Sequence, residues 1–277
     1  MRDYGSRGPS LVLLHGGPGV AGYLAALAVG LAASFRVLEP LQRGSGEARL
    51  TVARHVADLH AVLQARCRGQ RVALVGHSWG AMLALAYAAA HPDPQRPIVL
   101  VACGTFDVRS RNRLREILEQ RTDAALRGRL ERVGARVADP DARLLKLGAL
   151  SLPLYSYDLL SSALEVDTCD ARAHEQSWSD MLRLQEQGIY PAAFAGIEAP
   201  VLMLHGAWDP HPGALIRASL EPHLSRLEYR EWERCGHYPW LERHVRQEFL
   251  DVLQAWLAQK IGSGGSREDS PAANGSP

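Results

Sequence analysis

Three side chains that could together attack a carbonyl group occur in the order Ser78, Asp209, His237. A serine hydroxyl is a poor nucleophile until a neighbouring base takes its proton, and a histidine serves as that base when a carboxylate fixes its tautomer and orientation. Ser78 sits in Gly76-His77-Ser78-Trp79-Gly80, a Gly-x-Ser-x-Gly pattern that follows a short apolar run and opens a helical one. In that context the serine occupies a sharp strand-to-helix turn, and the two glycines let neighbouring backbone pass close beneath it. The following helix aims its N-terminus at the reacting centre, where negative charge develops.

Such an attack also needs donors for the developing oxyanion. His15-Gly16-Gly17-Pro18-Gly19 follows the first apolar run directly, and a glycine-rich turn offers backbone N–H groups free of bulky side chains. The expected donors are the N–H groups of Gly17 and of Trp79, the residue after the nucleophile. Asp209 ends the apolar run of Leu202 to His205, at the carboxyl end of a strand, with Asp107 as its competitor. His237 lies in Cys235-Gly236-His237-Tyr238-Pro239-Trp240, between the last strand and the last helix. His77, inside the turn itself, is expected to pack or to face substrate.

The elements that must position these groups follow from the alternation of short β-rich runs with longer amphipathic ones, the pattern of a parallel sheet with helices on both faces. Strands are predicted at 11–14, 36–39, 71–75, 98–102, 201–205 and 227–232, and helices at 22–33, 51–66, 79–90, 212–220 and 240–259. The alternation stops after residue 102 and resumes near 200, far beyond the usual βα connection of about 2–6 residues. The expected organisation is therefore an α/β core of residues 1–104 and 196–260, an inserted helical cap at 105–195, and a disordered tail at 261–277, whose Gly, Ser, Pro and Asn cannot bury enough to order it.

With these motifs placed, the chain resembles the α/β-hydrolase fold family, and within it the prolyl aminopeptidase-like group. The resemblance rests on the glycine-rich turn at 15–19, on Gln42-Arg43-Gly44-Ser45-Gly46 and on the serine pentapeptide. It implies a mostly parallel sheet, a Ser-His-Asp mechanism, no cofactor, and a cap that selects substrate. Leu41 stands where the group usually carries Asp, and His77 where it usually carries Gly. Members also begin with antiparallel strands, for which only ten residues precede Leu11, so a sheet edge that is shortened or covered by a partner is expected. Prolyl aminopeptidases hold a free amine with cap carboxylates; Glu165 and Glu175, with Asp167, Asp170 and Asp180, are the residues available for that. Trp178 and Tyr190 are candidate pocket walls.

The net charge of +1 supplies no field for nucleic acid or an anionic membrane. The expected partner is a small-molecule or short-peptide substrate. The four cysteines are widely spaced without a Cys-x-x-Cys pair, which suggests neither a metal site nor a disulfide framework. Without a secretory signal or a long apolar span, a cytoplasmic location is expected. The function expected is a serine hydrolase acting on an ester or amide through an acyl-enzyme. The alternatives are a prolyl-type aminopeptidase, an acyltransferase or cofactor-free lyase or peroxidase-like enzyme on the same triad, and a non-catalytic ligand-binding protein.

Overall fold

The computed structural model describes residues 1–262. Seven strands form one sheet: β1 (Arg2–Tyr4), β2 (Ser10–Leu14), β4 (Arg36–Glu39), β5 (Val72–His77), β6 (Ile98–Val101), β8 (Val201–Gly206) and β9 (Leu227–Trp232). Their order is β1-β4-β2-β5-β6-β8-β9. All neighbours run parallel except β1, which pairs antiparallel with β4. A two-stranded ribbon joins β3 (Val20–Ala21) to β7 (Thr168–Cys169).

Strand periodicity sorts the core into two layers, since alternate side chains leave opposite faces of a sheet. Val12, Leu14, Leu74, Ile98, Leu100, Val201 and Met203 meet α2 (Val52–Arg66), α3 (Trp79–Ala90) and α8 (Gly213–Leu220) on one face. Leu11, Leu13, Ala73, Val75, Val99, Val101, Leu202 and Leu204 meet α1 (Ala25–Leu31) and α9 (Arg246–Gly262) on the other. The continuous apolar runs seen in the sequence are thus strands buried on both faces.

Four helices lie between β6 and β8: α4 (Val108–Arg121), α5 (Ala124–Arg136), α6 (Pro140–Tyr155) and α7 (Ala171–Glu186). An aspartate caps each N-terminus, Asp107, Asp123, Asp139 and Asp170 respectively, accepting from the backbone N–H three residues on. Each satisfies an N–H that has no intrahelical acceptor.

Three elements differ from expectation. The sheet edge is covered by β1, whose three residues are too few to show a period. The last helix begins at Arg246 rather than 240, because Pro239–Leu241 form a single 3-10 turn and Glu242 turns its carboxylate inward. That helix also includes residues 261 and 262, which were assigned to the tail; the rest of the predicted tail lies outside the described residues.

At Gly80 a Cβ would stand 2.2 Å from the Leu14 carbonyl oxygen, so α3 can pass beneath the β2 loop only with glycine there. Gly80→Ala is expected to cost about 1–3 kcal/mol or more through backbone displacement. Gly134→Ala in α5, where a Cβ meets nothing within 4 Å, should add about 0.5–1 kcal/mol. Urea denaturation midpoints of the two variants check both signs.

Candidate active site

In an open α/β sheet, groups converge outside the carboxyl ends of the strands where strand order reverses. Here the reversal lies between β2 and β5, since the chain leaves β2 for β4 on one side and later adds β5 on the other. The loop after β2 carries Gly16 and Gly17, and the turn after β5 carries Ser78. Ser78 has φ 55° and ψ −120°, a left-handed conformation that costs a non-glycine residue about 1–3 kcal/mol. Its N–H donates to the Val101 carbonyl at 2.9 Å, and this bond on the neighbouring strand holds the strained turn.

The candidate acid and base, Asp209 and His237, come from the loops after β8 and β9. His237 Nδ1 lies 2.6 Å from Asp209 Oδ2. Asp209 is fully buried, and burial alone would raise its carboxyl, yet the adjacent His237 and His211 hold it well below the usual carboxylate range. His211 donates its backbone N–H to Oδ1 at 2.9 Å and brings its ring Nδ1 to the same oxygen at 3.0 Å. For His237 burial wins over Asp209 and lowers the imidazole below 6.5, so at neutral pH it is free to accept a proton. Asp107, the competing acid, is committed to the N-terminus of α4 through the N–H and hydroxyl of Ser110.

A chain of hydrogen bonds joins the three loops. The Gly16 N–H donates to Tyr23 Oη at 2.6 Å, Tyr23 in turn donates to His77 Nδ1 at 2.9 Å, and His77 Nε2–H donates to the His237 carbonyl at 2.9 Å. That carbonyl can only accept, which fixes the His77 tautomer, and burial keeps this imidazole far below its ordinary range. His77 is therefore a neutral strut between loops, although its ring also reaches the cavity wall. Gln42 adds a second tie: its amide nitrogen donates to the His15 carbonyl at 2.6 Å and its backbone N–H to His15 Nε2 at 3.0 Å. With the Gly16 N–H spent on Tyr23, Gly17 is left at the cavity wall. The Trp79 N–H is in the first turn of α3, where helices leave donors unpaired.

These groups open onto a cavity of about 720 Å³ whose wall includes Gly17, Ser78, His211 and His237. Its other side is apolar, with Leu144, Leu147 and Leu152 of α6, Leu164, Val166 and Trp178. Among the described residues, Lys146 is the one formally charged lining residue other than histidine, and no Asp or Glu lines the cavity. Trp178 lines the cavity, whereas Tyr190, Glu165 and Glu175 do not reach it. Tyr190 stacks on Phe194 at 4.9 Å in the layer around α3, and the two glutamates face solvent. The acids of the second cap half serve the scaffold. Asp167 pairs with Arg2, Asp170 caps α7 and accepts from the Ser45 N–H, and Asp180 accepts from the Val52 N–H at the start of α2.

Asp209, His211 and His237 are also the described residues that bring three candidate metal-ligating atoms within 4.8 Å of one another. Their Nδ1 atoms and carboxylate oxygens are already matched to one another as donors and acceptors.

Residues 11–251 match the family model described as the alpha/beta hydrolase family. This chain belongs to the alpha/beta hydrolase family. A proline iminopeptidase of Lactobacillus helveticus is 26% identical over 276 residues, covering 92% of this chain and 91% of that protein. The crystal structure of VinJ superposes with a TM-score of 0.66 at 20% identity, covering 93% and 94% of the two chains. MenH from S. aureus gives 0.66 at 16% identity, covering 94% and 98%.

In this alpha/beta hydrolase the loop that carries His237 is bolted to the end of α6 and the residues that follow it. The buried Glu242 carboxylate accepts from the N–H groups of Gly236, Tyr157 and Asp158 at 2.8, 2.8 and 2.6 Å, and the His237 N–H donates to the Tyr155 carbonyl at 2.7 Å. Sequence reading missed Glu242, Tyr23 and His211. Only the Asp-Pro-His spacing, which puts a second imidazole two residues from the acid, carried a signal for any of them. Tyr23→Phe would leave the Gly16 N–H and His77 Nδ1 buried without partners, at a cost of about 1–3 kcal/mol. Chemical denaturation of the variant beside the wild type should show that loss.

Proposed function

We propose that the protein is a serine hydrolase that cleaves esters of apolar acyl groups through an acyl-enzyme. The observation that carries this reading is the cavity wall, where Ser78 and the Asp209-bonded His237 face apolar side chains and, among the described residues, no carboxylate. Ser78 Oγ adds to the ester carbonyl while its proton passes to His237 Nε2. The Gly17 and Trp79 N–H groups stabilise the oxyanion. Collapse breaks the bond to the leaving oxygen, which takes the proton from His237. Water then adds to the acyl carbonyl, giving its proton to the same imidazole, and the acid leaves as Ser78 regains its hydrogen. Asp209 keeps Nδ1 protonated and steadies the transient imidazolium.

A prolyl-type aminopeptidase is the second reading, favoured by proline iminopeptidase relatives that align over nine-tenths of the chain. Against it stands the wall itself, because a substrate ammonium taken out of water needs a carboxylate partner, and Lys146 is of the wrong sign.

A panel of p-nitrophenyl esters from acetate to decanoate, run beside proline and other aminoacyl p-nitroanilides, separates the two. Esters should be cleaved with kcat/KM rising as the chain lengthens into the cavity, and the anilides left intact. Preferential anilide cleavage would sink the ester reading.

Ser78→Ala and Asp209→Asn should each lower kcat by about 10⁴-fold or more. The acid limb of kcat/KM in the wild type should fall below pH 6.5, since the folded-state imidazole is depressed and stays neutral to lower pH.

A further inference from the structure

His211 is placed to do more than end a turn. Its ring stacks on that of His237, with centroids 4.7 Å apart and planes 20° apart, and both rings line the cavity. Each imidazole presents Nδ1 to a different oxygen of one carboxylate, His237 to Oδ2 and His211 to Oδ1. A carboxylate only accepts, so both Nδ1 atoms carry hydrogen. The His211 backbone is locked as well, because its carbonyl accepts from His205 Nε2 at 2.9 Å while its N–H is held by Asp209.

We propose that His211 is a positioning residue of the reaction: by donating two hydrogen bonds to Asp209 it takes a share of the carboxylate that His237 also uses. It thereby sets the pH at which His237 gains a proton. This rests on the reading of His237 as the base. A carboxylate whose Oδ1 is neutralised by N–H donors attracts a proton on its Oδ2 partner less strongly. The shared acid therefore leaves His237 less basic than a dedicated one would.

Other titratable groups also surround this pair. His205 of β8 lies 3.4 Å from Oδ2, and Tyr155 of α6 contacts both rings. His77 and Tyr238 flank His237. Arg121 of α4 donates to the Trp208 and Leu154 carbonyls, and Tyr229 of β9 bonds Glu231.

The test measures kcat/KM against pH for p-nitrophenyl butyrate with the full chain, His211→Phe and His211→Asn. Phenylalanine keeps a stacked ring without the donor, and its acid limb should move up by about half to one pH unit, the equivalent of the net worth of one lost hydrogen bond. Asparagine places Nδ2 where Nδ1 stood and should return the limb to within about 0.3 unit of wild type. Limbs that superimpose in all three proteins, whatever their amplitudes, overturn the proposal, because a purely structural role changes amplitude alone. Low-field proton NMR decides the geometry independently of any substrate or of variant folding. Two imidazole Nδ1–H resonances in the wild type support it, and a single one overturns it even if the protein hydrolyses esters.

Discussion

A negative charge buried among apolar strands is the constraint around which this molecule is arranged. Removing an ion from water costs several kcal/mol even after relaxation, so the Asp209 carboxylate exists only because donors surround it. Those donors come from the residue that ends its own turn, His211, and from a loop 28 residues away, His237. The need to satisfy one carboxylate thus fixes the loops after β8 and β9 relative to each other. Glu242 repeats the device one layer out: three backbone N–H groups from two separate loops meet on a second buried carboxylate. The geometry of the candidate site is a by-product of charge satisfaction.

The sheet supplies the remaining precision. The order reversal between β2 and β5 brings two loop ends together, and the parallel register Leu14↔Gly76 sets their height. The strained Ser78 turn persists because its N–H is taken by β6, while Tyr23 and His77 transmit that rigidity from the glycine-rich loop to the base loop. The cap is stitched to the same loops. The segment from 167 to 174 pairs with residues 18–21 through β3 and β7, through Asp167 and Asp170 N–H groups, and through His174.

How much of this could be read from sequence depended on the range of the interaction. The inner parallel strands were legible because burial on both faces leaves uninterrupted apolar runs, the edge strand β9 by its Leu227, Tyr229 and Trp232 among charged residues, and α3 to its end residues because the serine turn marks its start. Ser78, Asp209 and His237 were visible as types in an order. The hydrogen bond between the last two and their opening with Ser78 onto one cavity required the fold. Carboxylates of the second cap half misled for a definite reason: a side chain that caps a helix, as Asp170 does, or accepts from another helix's first turn, as Asp180 does, has the same composition as one that binds an amine. Tyr23 gave no signal, because a tyrosine at the head of a helix looks like core until its hydroxyl is seen between Gly16 and His77. The strand β1 was hidden by its length.

The cap is anchored unequally, and this has a consequence for how the cavity can change. The α7 half contributes Ala173, Ser177, Asp180 and Met181 to the interior, whereas α5 buries no residue and rests on α6. Elements with few buried contacts open at little free-energy cost and absorb replacement readily. The wall formed by α6 is therefore the adjustable jaw of a vice whose other jaw is fixed, and divergence there can resize the cavity while the hydrogen-bonded loops beneath stay as they are.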